Sequence, residues 1–185
     1  MPMAATAKRW TLDELHRLPD DGNKYEVVFG ELYVTPAPTE EHETILARLT
    51  ALLQPYVHQH QLGAIFHPRA VIRFDGSEVE PDLFVRALRP RTGADWEDAP
   101  APSLVVEVLS PATRRRELTT KREFYLAVGA GDYWIIDPES RTVRSIQAGR
   151  VDVVSGRSAE WAPVPQTAPL LLDVAALFDD AAGKP

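Results

Sequence analysis

Three residues carry the chemistry this chain is equipped to do: Asp82, Glu107 and Lys121. Glu107 interrupts an apolar run, Leu104-Val105-Val106-Glu107-Val108-Leu109, that otherwise reads as a fully buried strand. A lone carboxylate in such a strand costs several kcal/mol, of order 2–7, unless a partner, a proton or a cation compensates it. Asp82 closes the segment Glu78 to Asp82, where alternation predicts Glu78, Glu80 and Asp82 on one face. If the two strands are neighbours, Asp82 and Glu107 approach closely, and two like charges so placed require a proton or a cation between them. With oxygen donors alone, Mg²⁺ or Mn²⁺ is the natural cation.

The next helix adds a base and a hydroxyl. Glu117, Lys121 and Tyr125 recur at four-residue spacing and so form one stripe. A lysine there can stabilise charge developing on a phosphoryl group or assist an attacking water, and Tyr125 can hydrogen-bond the lysine or a phosphate. The same stripe also fits a plain Glu117–Lys121 ion pair. His42, at the start of a long apolar stripe, fits a ligand or base near the site, or a half-buried residue at the helix end. Arg114, Arg115 and Arg116 form the densest basic run, suited to phosphate contact or to a solvated helix face.

The elements that must hold these residues follow from periodicity and turn chemistry. Thr11 to Glu14 fits a capping box. Tyr25 to Val34 reads as two strands joined at Gly30. From Thr39 the apolar spacing is helical, through Leu46, Leu49, Leu53 and Val57, and ends before Gly63. Ala64 to Phe74 and Glu78 to Val85 are predicted as strands paired about the Asp75-Gly76 turn, with Pro81 making the second irregular. Residues 87–102 read as a surface loop. A helix from Ser110-Pro111 to Val128 and a strand Tyr133 to Ile136 complete a parallel crossover from the Glu107 strand. Val143 to Val154 reads as a hairpin about Gly149-Arg150. The tail reads as irregular until a short helix, Val174 to Phe178.

Composition bounds the class. The chain has 185 residues, 44% of them hydrophobic and 25% charged, which suits one soluble domain spanning 1–185 with flexible tails at 1–9 and 180–185. With no cysteine, disulfides and thiolate metal sites are excluded. No apolar stretch is long enough for a membrane span and residues 1–9 carry no secretory-type segment, so the expectation is a cytoplasmic protein. The net charge of −7 argues against a nonspecific nucleic-acid coat.

Glu80-Pro81-Asp82-Leu83, the run Val105 to Thr113, Lys121, Tyr125, Gly129 and Tyr133 to Pro138 together resemble the Uma2 family, and Tyr25-Glu26-Val27, Gly30-Glu31, Pro36 and His42 resemble its N-terminal pattern. The resemblance covers nearly the whole chain. It implies the PD-(D/E)XK nuclease superfamily: a mixed α/β, restriction-endonuclease-like core, with a central mixed β-sheet flanked by helices and an extra N-terminal β-hairpin. It further implies a metal-dependent endonuclease acting on DNA, with Asp82 and Glu107 holding Mg²⁺ or Mn²⁺ and Lys121 and Tyr125 in the catalytic set. Glu43 or Glu40 would supply an extra acid, with His42 and Glu80 as further site candidates and Arg114, Arg115 and Arg116 on nucleic acid. A homodimer would fit duplex cleavage. The superfamily's lysine normally stands two residues after the second acid; here that position is Leu109, and Lys121 takes its place. Glu117 stands where the family usually shows Asp. The competing expectation is a catalytically inactive nucleic-acid- or protein-binding regulatory module on the same fold.

Overall fold

The computed structural model describes residues 8–88, 96 and 98–181. The first helix, α1 (Leu12–Leu15), opens with the expected capping box: Thr11 accepts from the Glu14 amide and Glu14 reaches back to Thr11. Strands β1 (Lys24–Val28) and β2 (Glu31–Thr35) form the N-terminal hairpin. Helix α2 (Glu40–Gln59) is capped by Thr39, whose hydroxyl accepts from the His42 amide at 3.3 Å. Glu40, Glu41 and Glu43 in its first turn complement the helix dipole.

Next come β3 (Ala64–Phe66), β4 (Ile72–Phe74), β5 (Ser77–Val79), β6 (Leu83–Arg86) and β7 (Leu104–Val108). The two long strands expected over 64–74 and 78–85 are each broken in two, and the halves belong to different sheets. The expected turn holds: β4 and β5 pair about Asp75-Gly76, where φ is +47° and +67°, the conformation an Asp-Gly hairpin turn requires. The break in the second strand falls at Glu80-Pro81-Asp82. Pro81 cannot donate to a ladder, and the chain crosses there from a small sheet to the large one. Glu78, Glu80 and Asp82 therefore do not share one face, as alternation alone predicts. Glu78 pairs with His16 and Arg73, and Asp82 turns towards β7.

After β7 the chain forms α3 (Arg114–Arg116), a π turn (Glu117–Lys121) and α4 (Arg122–Val128), rather than one regular helix. Gly129, at φ +81°, ends α4 in the left-handed conformation that glycine adopts without strain. Then follow β8 (Asp132–Asp137), β9 (Thr142–Ile146), β10 (Val153–Ser155), β11 (Ser158–Trp161), β12 (Leu170–Asp173) and α5 (Val174–Ala181). The tail is thus not irregular: β11 and β12 pair as a hairpin that sets Trp161 and Leu172 into the core. Residues 8, 9, 180 and 181 are placed, Lys8 on Glu14 at 3.0 Å and Arg9 on the Phe29 carbonyl at 3.1 Å; the rest of the expected tails, and much of the 87–102 loop, lie outside the described residues.

The large sheet runs β10-β9-β8-β7-β6-β3, with β7 and β8 parallel and every other pair antiparallel. A smaller antiparallel sheet runs β2-β1-β5-β4. On one face of the large sheet, Leu83, Val85, Leu104, Val106, Val108 and Trp134 pack on Ile45, Leu49, Leu53 and Val57 of α2 and on α5. On the other, Phe84, Val105, Leu109, Tyr133 and Ile135 meet Phe124 and Tyr125 of α4 and Val28 and Val79 of the small sheet. Alternation along β7 sends Glu107 to this second face. No helix among the described residues is long and apolar enough to cross a membrane.

Candidate active site

The register of β6 on β7 pairs Leu83 with Val106, so Asp82 stands one step further along, beside Glu107. Asp82 Oδ2 accepts the Val108 amide at 2.9 Å and lies 3.0 Å from His42 Nε2; Oδ1 accepts from Lys24 Nζ at 3.2 Å. Burial opposes ionisation of Asp82, but Lys24 and His42 outweigh it and hold the carboxyl well below the usual range. With Asp82 a carboxylate, His42 Nε2 is the donor. Burial works against a charge on His42 as well, yet its bond to Asp82 raises its pKa. Its Nδ1 lies 3.2 Å from Glu43 Oε1.

Glu107 Oε1 accepts from Lys121 Nζ at 2.6 Å and from Tyr125 OH at 2.5 Å. Its Oε2 has no hydrogen-bond partner among the described residues, and the side chain borders a cleft of about 1470 Å³. Lys121 is wholly buried. It also reaches Glu26 Oε1 at 2.8 Å and Glu117 Oε1 at 3.6 Å, and does not line the cleft. Burial disfavours its charge, but Glu107, Glu117 and Glu26 together keep it protonated, above its ordinary pKa. Tyr125 and Tyr133 are raised well above the usual phenol value, first by burial and then by nearby carboxylates.

Glu26 belongs to the N-terminal pattern of the resemblance but is not among its site candidates. It sits on β1, fully buried, and accepts the Glu80 amide at 2.9 Å as well as Lys121. Its Oε2 is buried without a hydrogen bond, 3.5 Å from Arg116 Nη2. Lys24, two residues earlier and on the same face of β1, was also missed. The signal was present: Glu26 interrupts Tyr25-Glu26-Val27-Val28 as Glu107 interrupts its own strand.

The basic run does not act as one patch. Arg115 is exposed. Arg114 forks onto Asp137 at 2.8 and 2.9 Å and reaches Glu139. Arg116 turns inward, to Glu117 Oε1 at 3.0 Å and Thr35 Oγ1 at 3.1 Å. Glu43 and Glu80 line the cleft, Glu43 mostly exposed and Glu80 half-buried. Burial raises the pKa of Glu80.

Four buried carboxylates, Glu26, Asp82, Glu107 and Glu117, thus face Lys24, Arg116 and Lys121, with His42 also on Asp82. Glu107 is the acid whose charge this cluster supports least. Burial, with Glu117 and Asp82 adding repulsion, pushes its pKa up to about 8 against the pull of Lys121. Burial likewise raises Glu117. Glu117, Lys121 and Tyr125 converge on these acids from one helix, which carries a π turn at Glu117–Lys121. Such turns concentrate at functional sites.

The donor set suits a hard divalent cation. Asp82 and Glu107 are neighbouring oxygen donors that border the cleft, and Glu107 Oε2 carries no hydrogen bond among the described residues. No group of three or more His, Asp or Glu among the described residues is arranged to hold a metal. An ion there would take most of its shell from water or substrate, as Mg²⁺ commonly does.

A family model, Uma2, described as "Putative restriction endonuclease", matches residues 12–175. The chain belongs to the Uma2 family. No curated protein matches it. A crystal structure described as a "putative nuclease belonging to DUF820", from Anabaena variabilis ATCC 29413, superposes on this Uma2 chain with a TM-score of 0.76 at 24% identity. The match covers 93% of this chain and 99% of that one. The shared architecture is the mixed α/β, restriction-endonuclease-like fold that the sequence resemblance implies.

Proposed function

We propose that this Uma2 protein is an endonuclease that hydrolyses phosphodiester bonds in DNA, with Mg²⁺ or Mn²⁺ held by Asp82 and Glu107. The observation that carries the reading is the pairing of these two carboxylates on adjacent strands at the floor of the cleft, with a counter-charge supplied from behind. The bound ion would supply Lewis-acid polarisation of the phosphate and a more acidic water. In the reaction, a water oxygen bonds to phosphorus and one bridging P–O bond breaks. The water's proton is lost and the leaving oxygen is protonated in turn.

The chain's own residues prepare that step. Lys121 and Tyr125 fix Glu107 through Oε1, which leaves Oε2 without a hydrogen bond among the described residues. Lys121 therefore acts through Glu107, as a counter-ion that keeps the carboxylate placed and available. His42, backed by Glu43, and the Val108 amide fix Asp82. Glu80 at the rim is a further acid near the ion, and exposed Arg115 is the member of the basic run free to meet phosphate. Two copies of the chain would bring two such clefts to a duplex.

The test is cleavage of supercoiled and linear DNA with Mg²⁺ or Mn²⁺, using wild type, Asp82→Asn and Glu107→Gln. Wild type should cut, and each variant should lose about two orders of magnitude or more, as expected when a group stabilising the transition state is removed. DNA left intact by wild type in every form, or cut equally by all three proteins, would sink the proposal.

A further inference from the structure

Lys121 is the lysine that the sequence brings to the site, but it has no donor left for a substrate. It is wholly buried, and three carboxylates surround its ammonium. Lys24 differs on each count. It is the only lysine among the described residues that lines the cleft, and its side chain is 16% exposed. Its Nζ donates to the Glu80 carbonyl at 3.0 Å and to Asp82 Oδ1 at 3.2 Å. An ammonium has three N–H donors. The third has no partner among the described residues, on a side chain already fixed by two.

The arginines of the cleft are committed elsewhere: Arg116 to Glu117 and Thr35, Arg114 to Asp137 and Glu139, Arg69 to Asp20. We propose that Lys24, not Lys121, is the catalytic lysine, donating its free N–H to a non-bridging oxygen of the scissile phosphate. The proposal rests on the nuclease reading above. A tethered cation with one open donor is preorganised for charge that develops in the transition state. Alternation on β1 explains the division of labour: Glu26 props Lys121 from behind, and Lys24 on the same face serves the cleft.

The experiment compares Lys24→Met and Lys24→Arg with Lys121→Met in three measurements. They are the melting temperature, binding of a fluorescein-labelled duplex in EDTA across a salt series, and the single-turnover cleavage rate at saturating DNA with Mg²⁺. Lys24→Met should lower the melting temperature less than Lys121→Met does, because it leaves one buried carboxylate, Asp82, short of a partner where Lys121→Met leaves three. It should cut about 10²- to 10³-fold more slowly and lose about 0.9 from the log–log salt slope. Lys24→Arg should recover about tenfold or more of the rate while restoring that slope. Lys121→Met should lower the melting temperature and leave the salt slope as in wild type. If Lys24→Met does not fold, Lys24→Gln, which keeps a donor for the Glu80 carbonyl, takes its place in the same measurements. A Lys24 variant that binds and cuts like wild type overturns the proposal and leaves the nuclease reading standing. A wild type that neither binds nor cuts DNA overturns both.

Discussion

The two faces of β7 obey different physics. Towards α2, Val106 and Val108 join Ile45, Leu49 and Trp134 in a core without charge. One residue along and on the opposite face, Glu107 enters a cluster of buried acids and bases. The apolar face stabilises in proportion to the area it buries and is indifferent to pH. The charged face depends on a count: remove one cation and an acid is stranded, add a proton or a divalent ion and the repulsion falls. The same strand can therefore be firm on one side and responsive to ligand on the other.

That contrast is easiest to break at Lys121. Lys121→Met leaves Glu26, Glu107 and Glu117 without their shared counter-ion, and should cost about 3–5 kcal/mol in urea unfolding at pH 8. Adding Glu107→Gln should recover part of the loss. A melting temperature equal to wild type would mean that the charges do not depend on one another. On the other face, Leu49→Ala should cost about 2–5 kcal/mol through its cavity, by the same amount at pH 5 and pH 8.

The pH dependence sharpens the difference. Glu107, raised from 4.5 to about 8, binds its proton more tightly folded than unfolded, so its contribution is present below 4.5 and lost as pH climbs to about 8. The slope should approach −1.4 kcal/mol per pH unit. Asp82 has the opposite sign: its depressed pKa gives stability above 3.8 that disappears as pH falls through its folded value. Glu107→Gln should flatten the decline between pH 5 and 8 in calorimetric scans, and Mn²⁺ should raise the melting temperature of wild type but not of that variant. The smallest effect should come from Thr39→Ala, about 1 kcal/mol, from loss of the cap on the turn that carries His42. Hydrogen exchange at His42 to Glu43 should quicken with no change at Glu107.

Much of this was legible in the chain. The closeness of Asp82 to Glu107 follows from pairing the apolar run that begins at Leu83 with the one that Glu107 interrupts, and both early hairpins follow from Gly30 and Asp75-Gly76. Lys121 and Tyr125 were readable because a charged and an aromatic residue share a stripe with an acid. Glu26 and Lys24 were not site candidates, because β1 is short with two charged residues in five, and only its contact with residues 54 to 95 positions away separates it from a surface strand. Arg116 could not be told from Arg115 by type or spacing; burial alone distinguishes them. Pro81 signalled irregularity, but not that the chain changes sheets there. The final hairpin is not legible because its strands, four residues each, are separated by a segment with Pro163, Pro165 and Pro169.

The wide turn at Glu117–Lys121 changes what the loss of a residue does to this helix. Each residue of a regular helix advances the side chains by about 100°, so a deletion there swings everything after it to another face. A π turn already holds one residue more than a regular turn, and losing Thr119 or Thr120 can be taken up by tightening it. Lys121 and Tyr125 should then still face Glu107. The same one-codon deletion at Arg122, in the regular helix that follows, should turn Tyr125 away from Glu107.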